Sequence, residues 1–323
     1  MIWRFIIKRV ALSFITVLTV VLLSFMIIKL APGDPAVLLA GAGATPEYLK
    51  AVREAYGLNL PITQQLTIYL TSVLTGNLGH SITYSRTVID VILGRLIPTV
   101  LLATTSSIIA IAGGIFLGLF SAAKPNSLRD ELINISSLVL FSIPVFWLGL
   151  FMILAFAVNI PLFPTGGMAS TTPPTGLYAI LDVVWHMVLP VATLSAVFFG
   201  IYARLTRGGL LQALSMNYSV AARAKGLSER EILYHHALRN SLLPIISLAG
   251  TQINLIIGAL VLVENIFSWP GLGTLIVQGF LHRDYPLTTG LLIFFAIITA
   301  LMNLFADILN AIVDPRIRSS VGE

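Results

Sequence analysis

Cysteine is absent from this 323-residue chain, which excludes disulfides and thiol chemistry. Charge is scarce as well. Asp, Glu, Lys and Arg make up 10% of the residues, against 57% hydrophobic ones, and mean hydropathy is +0.93. No GxxxxGKS or GxxxxGKT occurs, so the chain lacks the loop that cradles nucleotide phosphates. No Ser/His/Asp or paired-carboxylate arrangement points to hydrolysis, and there is no low-complexity tract or internal repeat. A chain so poor in charge belongs among polytopic membrane proteins.

What is present is long apolar runs. A spanning helix needs roughly 20 mainly apolar residues. Six segments qualify: 10–28, 97–123, 132–158, 187–203, 242–263 and 285–306. They are continuous where barrel strands would alternate, so the expected fold is all-α with six transmembrane helices. Pro144 and Pro190 fall inside two of them and are tolerated where neighbours pack. The first run resembles a signal peptide in its basic flank. Its length, and the lack of a small-x-small cleavage site in LAPGDPAV, favour a retained anchor.

The isoelectric point near 9.6 is best read as topology. Arg4, Lys8, Arg9, Lys124, Arg129, Arg204, Arg207, Arg223, Lys225, Arg230, Arg239, Arg316 and Arg318 fall on one side of the six-span arrangement. The other side holds Lys29, Lys50, Arg53, Arg86, Arg95 and Arg283, mostly in one long loop where charge counts less. The 159–186 connection has no Lys or Arg. Both termini and the 204–243 insert are therefore expected in the cytoplasm. The organisation is an N-terminal span plus extracellular loop (1–95), a five-helix core (96–312) and a cytoplasmic tail (313–323). In the loop, Thr45 is expected to cap a short helix with Pro46 first and Gly57 at its end. Residues 62–74 read as an amphipathic helix too polar to span, and the Pro/Gly/Thr-rich 159–176 stretch as irregular backbone packed on the outer face.

The most informative stretch is NYSVAARAKGLSEREILYHHALRNSLLP, 217–244, a charged insert between apolar runs. Asn217 and Tyr218 open a short helix, with Asn217 as its cap, that runs through Ala221, Ala222, Arg223 and Ala224 to Lys225. Gly226 takes the left-handed position beyond the helix end. Ser228 then caps a second helix and Glu231 completes a capping box, while Leu227 and Ile232 occupy staple positions. Ala221 and Ala222 give the first helix a smooth side, and Arg223 and Lys225 give it positive charge. Two readings fit: a helix that inserts into a groove on a soluble partner, and a hairpin lying on the membrane surface.

Other polar residues divide between packing and pathway. Ser247, Thr251, Asn254 and Gly258 share one side of the fifth span, and Thr299, Asn303, Asp307 and Asn310 one side of the sixth. The fifth-span stripe is the candidate pathway lining, although small and polar residues also mediate helix packing. Gly114 and Gly118, with Thr104, Ser107 and Ser121 near the same side, read as packing. His235 and His236 read as solvated and not as a metal site. Phe267, Trp269, Pro270 and Gly271 read as an interface anchor and a tight turn. No ionisable residue falls at the centre of a span; Glu264 and Asp307 lie near span ends. That disfavours an ion-coupled secondary transporter, the competing class.

The segment ARAKGLSEREILYHHALRNSLLP resembles the cytoplasmic EAA loop of ATP-binding-cassette (ABC) importer permeases, in the form found in the dipeptide/oligopeptide family. RFIIKRV, APGDPA, NLGHSI, RLIPTVLLA, SIPVFWLGL, HMVLPVATL, ENIFSWPGLGTL, RDYPL and VDPRIR extend the likeness in order over the whole chain. Val220 stands where the wider class has Glu, and the Gly226-to-Pro244 distance is longer, as in the peptide branch. The resemblance implies the type I importer permease (MetI-like) fold in a prokaryotic plasma membrane. It implies a homologous second permease, two cytoplasmic ATPases that hold the ATP and Mg, and an extracytoplasmic solute-binding protein. The chain itself is then no enzyme and binds no cofactor or metal. Nothing implies a nucleic-acid partner. Residues 217, 218 and 221–228 become the ATPase-coupling loop. Peptides are the default substrate of such relatives, with oligosaccharides, glutathione and nickel complexes as alternatives.

Overall fold

The computed structural model describes residues 2–30, 36–37, 44–55, 57–172, 174–239, 241–242, 245 and 252–313. Helices dominate. They are α1 (Ile2–Leu30), α2 (Pro46–Ala55), α3 (Ile62–Leu74), α4 (Val88–Ala122), α5 (Leu128–Ser142) and α6 (Val145–Ile153), the last extended by a π-helical turn, Leu154–Asn159. After α7 (Leu177–Ser215) come α8 (Asn217–Ala224), α9 (Glu229–Glu231) with a π-helical turn Ile232–Ala237, α10 (Ile253–Ile266), α11 (Leu272–Leu281) and α12 (Tyr285–Val313). Two-residue strands β1 (His80–Ser81) and β2 (Arg86–Thr87) form an antiparallel hairpin.

Among the described residues, four helices are long and apolar enough to cross a bilayer by themselves: α1, α4, α7 and α12. The third expected span is broken. Its two halves, α5 and α6 with its π turn, meet at 101°. Pro144 accounts for the break. It disfavours α-helical backbone at the residue before it, and Ile143 is accordingly extended (φ −78°, ψ 126°). Pro98 and Pro190, by contrast, sit inside uninterrupted α4 and α7. Of the fifth expected span, only its second half is seen as a helix, α10, and residues 243–244 and 246–251 lie outside the described set. A short apolar helix, α11, follows where a simple turn was expected. The 313–323 tail also lies outside, apart from Val313 at the end of α12.

The chain divides into two compact units. The first comprises Met1–Ile6, Ile97–Thr274 and Met302–Glu323. Its centre is α7, more than half buried along its apolar stretch, and Leu194, Phe198 and Tyr202 from α7 form a core with Leu102, Phe267 and Trp269. Gly114 and Gly118 let α4 approach it closely. A Cβ on Gly114 would overlap Tyr202, and one on Gly118 would stand 2.5 Å from the Ala203 carbonyl oxygen and the Thr206 Cβ. Packing is thus the role of this pair, as expected from membrane helix interfaces. The 159–176 connection is largely irregular, and the Gly167 N–H donates to the Phe267 carbonyl at 2.8 Å.

The second unit comprises Ile7–Leu96 and Leu275–Leu301. Here α2 begins as the sequence suggested, with the Tyr48 N–H donating to Thr45 Oγ1 and Gly57 at φ +62° beyond its end. The NLGHSI and RDYPL motifs meet. Buried Asp284 accepts from Ser81 Oγ (2.5 Å), from the Thr83 N–H (2.9 Å) and from the Leu287 N–H (3.1 Å), which fastens the β-hairpin to the start of α12.

Candidate coupling surface

The insert forms a short helical hairpin, and its details follow from local chemistry. Met216, extended at φ −74°, ψ 154°, holds the N-cap position of α8 and gives no side-chain cap. Asn217 is therefore the first helical residue and not the cap. The buried Ser219 hydroxyl does a different job: it donates to the Ala213 carbonyl at 2.8 Å and fastens α8 to the end of α7. Gly226, at φ +81°, occupies the left-handed position that ends α8 as the sequence predicts. The capping box is complete: the Glu231 N–H donates to Ser228 Oγ, and the Ser228 N–H donates to Glu231 Oε2 at 2.9 Å. The second arm departs from a plain α-helix, because residues 232–237 take a π-helical turn. Ile232 is fully buried and Leu227 half-buried.

The two alanines point to different sides. Ala222 is buried inside the hairpin and Ala221 is exposed. The exposed face of α8 carries Asn217, Tyr218, Val220, Ala221, Ala224 and Lys225. Tyr218 is 38% and Val220 56% exposed, so this small helix presents apolar surface to the outside. Arg223 was expected to supply charge to a partner. It clasps the hairpin instead, donating from Nε and Nη2 to Glu229 at 2.6 and 3.1 Å and from Nη1 to the Leu214 carbonyl at 3.2 Å. This hydrogen-bonded guanidinium holds the Glu229 carboxyl below the usual carboxylate range, and hydrogen bonds from the Ser228 N–H and hydroxyl do the same for Glu231. Lys225 is left as the exposed cation of α8. His235 and His236 are both exposed.

Beneath the hairpin lies a second apolar cluster, in which Leu233 and Ala237 pack with Leu210 and Ala213 of α7 and with Leu119 and Ala122 of α4. Close by is a feature the sequence reading missed. Asp130, 2% exposed in the first turn of α5, receives Arg207 of α7 in a bidentate pair at 2.6 and 2.7 Å. Arg207 and Asp130 are 77 residues apart, so no local pattern announces the pair.

The polar stripes are partly visible. Ser247 and Thr251 lie outside the described residues, whereas Asn254 and Gly258 are exposed on α10. Asn254 Nδ2 donates to Asn303 Oδ1 at 3.4 Å, so the two stripes touch at one point. The aromatic turn is corrected outright. Phe267 and Trp269 are fully buried core residues, not interface anchors, and Trp269 Nε1 donates to the Pro98 carbonyl at 2.9 Å. Glu264, read as lying at a span edge, is also fully buried; it accepts from Thr99 Oγ1 and the Gly273 N–H at 2.6 Å and caps the start of α11.

Two family models match the chain. Residues 114–319 match the binding-protein-dependent transport system inner membrane component, and residues 1–103 match the N-terminal region of the same membrane component. The chain belongs to this family. It is 39% identical to the oligopeptide transport system permease protein AppB of Bacillus subtilis, over 97% of this chain and 98% of that one. It is 33% identical to the dipeptide transport system permease protein DppB of Escherichia coli K12, over 98% of both chains. Among solved structures, the inward-facing MetNI methionine ABC transporter matches with a TM-score of 0.54 at 16% identity, covering 70% of this chain and 97% of that chain. That match supports the MetI-like permease fold. Family membership makes the chain a multi-pass membrane permease subunit of an ABC importer, and it implies ATPase partners and a binding protein.

Proposed function

We propose that this chain is one half of a heterodimeric permease that imports di- or oligopeptides delivered by an extracytoplasmic binding protein. Both termini and the 204–243 insert face the cytoplasm, and ATP and Mg are held by two partner ATPases. The exposed face of α8 seats in a groove of one ATPase: within the coupling loop of residues 217, 218 and 221–228, the exposed residues form the contact, while buried Ala222 and hydrogen-bonded Arg223 hold the hairpin's shape. Closure of the ATPases on ATP drives the paired hairpins together and turns the pathway outward. Asn254 and Gly258, with Ser247 and Thr251, line that pathway. The peptide substrate rests on the printed names of the relatives.

One observation carries the coupling reading. A helix of eight residues, closed by a positive-φ glycine and bolted to the end of α7, exposes Tyr218, Val220 and Ala221 on a charge-poor face. An isolated apolar face of this kind is covered when a partner groove excludes water from it. The test is reconstitution. In vesicles, the complex with its ATPases, second permease and binding protein takes up labelled peptides only with ATP. Uptake by this chain alone, driven by an ion gradient and indifferent to ATP, would overturn the reading.

A further inference from the structure

Asp130 sits at the centre of a dense hydrogen-bond cluster. Besides both Arg207 contacts, it accepts from Ser121 Oγ, from the Asn126 N–H at 2.9 Å and from Asn134 Nδ2 at 3.0 Å. These partners come from the end of α4, the α4–α5 turn, α5 itself and α7. A burial this complete is unusual for a surface-type ion pair. The pair is 3% exposed on the Asp side and 24% on the Arg side.

The geometry below it extends the connection. Eight residues after Arg207, α7 ends, and its last turns are joined to α8 by Ser219 on the Ala213 carbonyl and Arg223 on the Leu214 carbonyl. Leu233 and Ala237 of the second arm pack on the same turns of α7 and on α4. From α8 to α5, therefore, the connection runs through buried apolar packing and hydrogen bonds, of which Arg223 on the Leu214 carbonyl lies at the surface. At its far end α5 terminates in the 101° break at Pro144, where the helical run is interrupted by extended Ile143.

We propose that Asp130 and Arg207 are positioning residues for transport: they lock the cytoplasmic ends of α4, α5 and α7 to the coupling hairpin, so that displacement of α8 moves α5 as one body about the Pro144 break. This inference rests on the coupling role proposed above. A bidentate Arg–carboxylate pair suits the task because it fixes orientation as well as distance. Apolar packing alone would hold the helices together while letting them slide.

The test uses the complete complex in vesicles, with peptide uptake and ATP hydrolysis measured together. Asp130→Asn keeps the shape and removes the charge. Arg207→Lys keeps the charge and loses the fork. Both are expected to retain assembly and ATP hydrolysis while peptide transported per ATP falls about tenfold. A merely structural role would lower uptake and hydrolysis in parallel, with the ratio unchanged, and would overturn the proposal. Should Asp130→Asn fail to assemble, Arg207→Lys and Asn134→Ala decide by the same ratio. The cysteine-free chain allows a second readout, spin labels at Leu132→Cys on α5 and Ser215→Cys at the end of α7. Their separation should stay constant between the ATP-free and ATP-trapped complexes, and broaden in Arg207→Lys. A separation that changes through the cycle of the otherwise native chain would overturn the one-body claim. Absence of any ATP-dependent uptake in the unmodified complex would sink the functional reading, whereas the label distance would still report on the lock.

Discussion

Around Gly226 no atom beyond its immediate chain neighbours lies within 4 Å of the place a Cβ would take, yet its backbone stands at φ +81°. Space is free and conformation is not. Gly226→Ala should cost about 1 kcal/mol of local stability through the left-handed backbone, seen as faster amide exchange in α8. Gly226→Pro is barred from that φ altogether and should abolish ATP-dependent uptake while membrane insertion, followed by fractionation, persists. Ala221 offers the complementary experiment. It is exposed, so Ala221→Trp should leave the chain folded and still stop uptake, because bulk on that face blocks the partner's groove. Unchanged uptake in both variants would remove these positions from the coupling surface. Much local chemistry was legible at the residue scale, including the Ser228 capping box, the Gly226 terminator and the Thr45 start of α2, although the cap expected at Asn217 falls one residue earlier, at Met216. Residue-scale reading went astray where burial decides. Arg223 was assigned to a partner because nothing in the sequence pairs it with Glu229, and Phe267 and Trp269 were placed at an interface because their burial depends on α4.

At the scale of elements, the hairpin and the α4–α7 packing respond to different variables. Glu229 and Glu231 both titrate below the ordinary glutamate value of 4.5 in the folded hairpin. A lowered folded-state value means stabilisation that is complete above 4.5 and lost as pH falls below it. Amide protection across 217–231, taken relative to the intrinsic exchange rate at each pH, should therefore be highest near neutrality and fall in acid, and Glu229→Gln with Glu231→Gln should flatten that dependence. Because the Arg223–Glu229 pair is solvent-screened, its service is orientation more than stability. The α4–α7 contact is indifferent to pH and sensitive to volume. Gly114→Leu should destabilise by roughly 3 kcal/mol through overpacking against Tyr202, measured as a lower melting temperature of detergent-purified chain. Two elements eluded the sequence. Hydropathy windows see length and apolarity, so they merged α5 and α6 across Pro144, and they passed over α11, whose ten residues are too few to register as a span.

For the whole molecule, sidedness is the decisive variable, and a chain without cysteine is well suited to measuring it. Single replacements at exposed Lys225 and Ile82 should label from opposite sides of sealed vesicles, Lys225→Cys from the cytoplasmic face alone. Labelling of Lys225→Cys only from outside and Ile82→Cys only from the cytoplasm would reverse the orientation derived from the Lys and Arg distribution, and labelling of both from one face would refute their placement on opposite sides.

Composition, hydropathy and motif order were enough to establish an all-helical membrane permease and to locate its charged hairpin, because those properties depend on contiguous residues and on the solvent they meet. Which side chains the hairpin withholds, which helices break and which carboxylates are locked away were settled only by tertiary structure. Asp130 with Arg207, Glu264 with Thr99 and Asp284 with Ser81 join residues 77, 165 and 203 positions apart. The desolvation that makes such contacts selective exists only once the chain has brought the helices together.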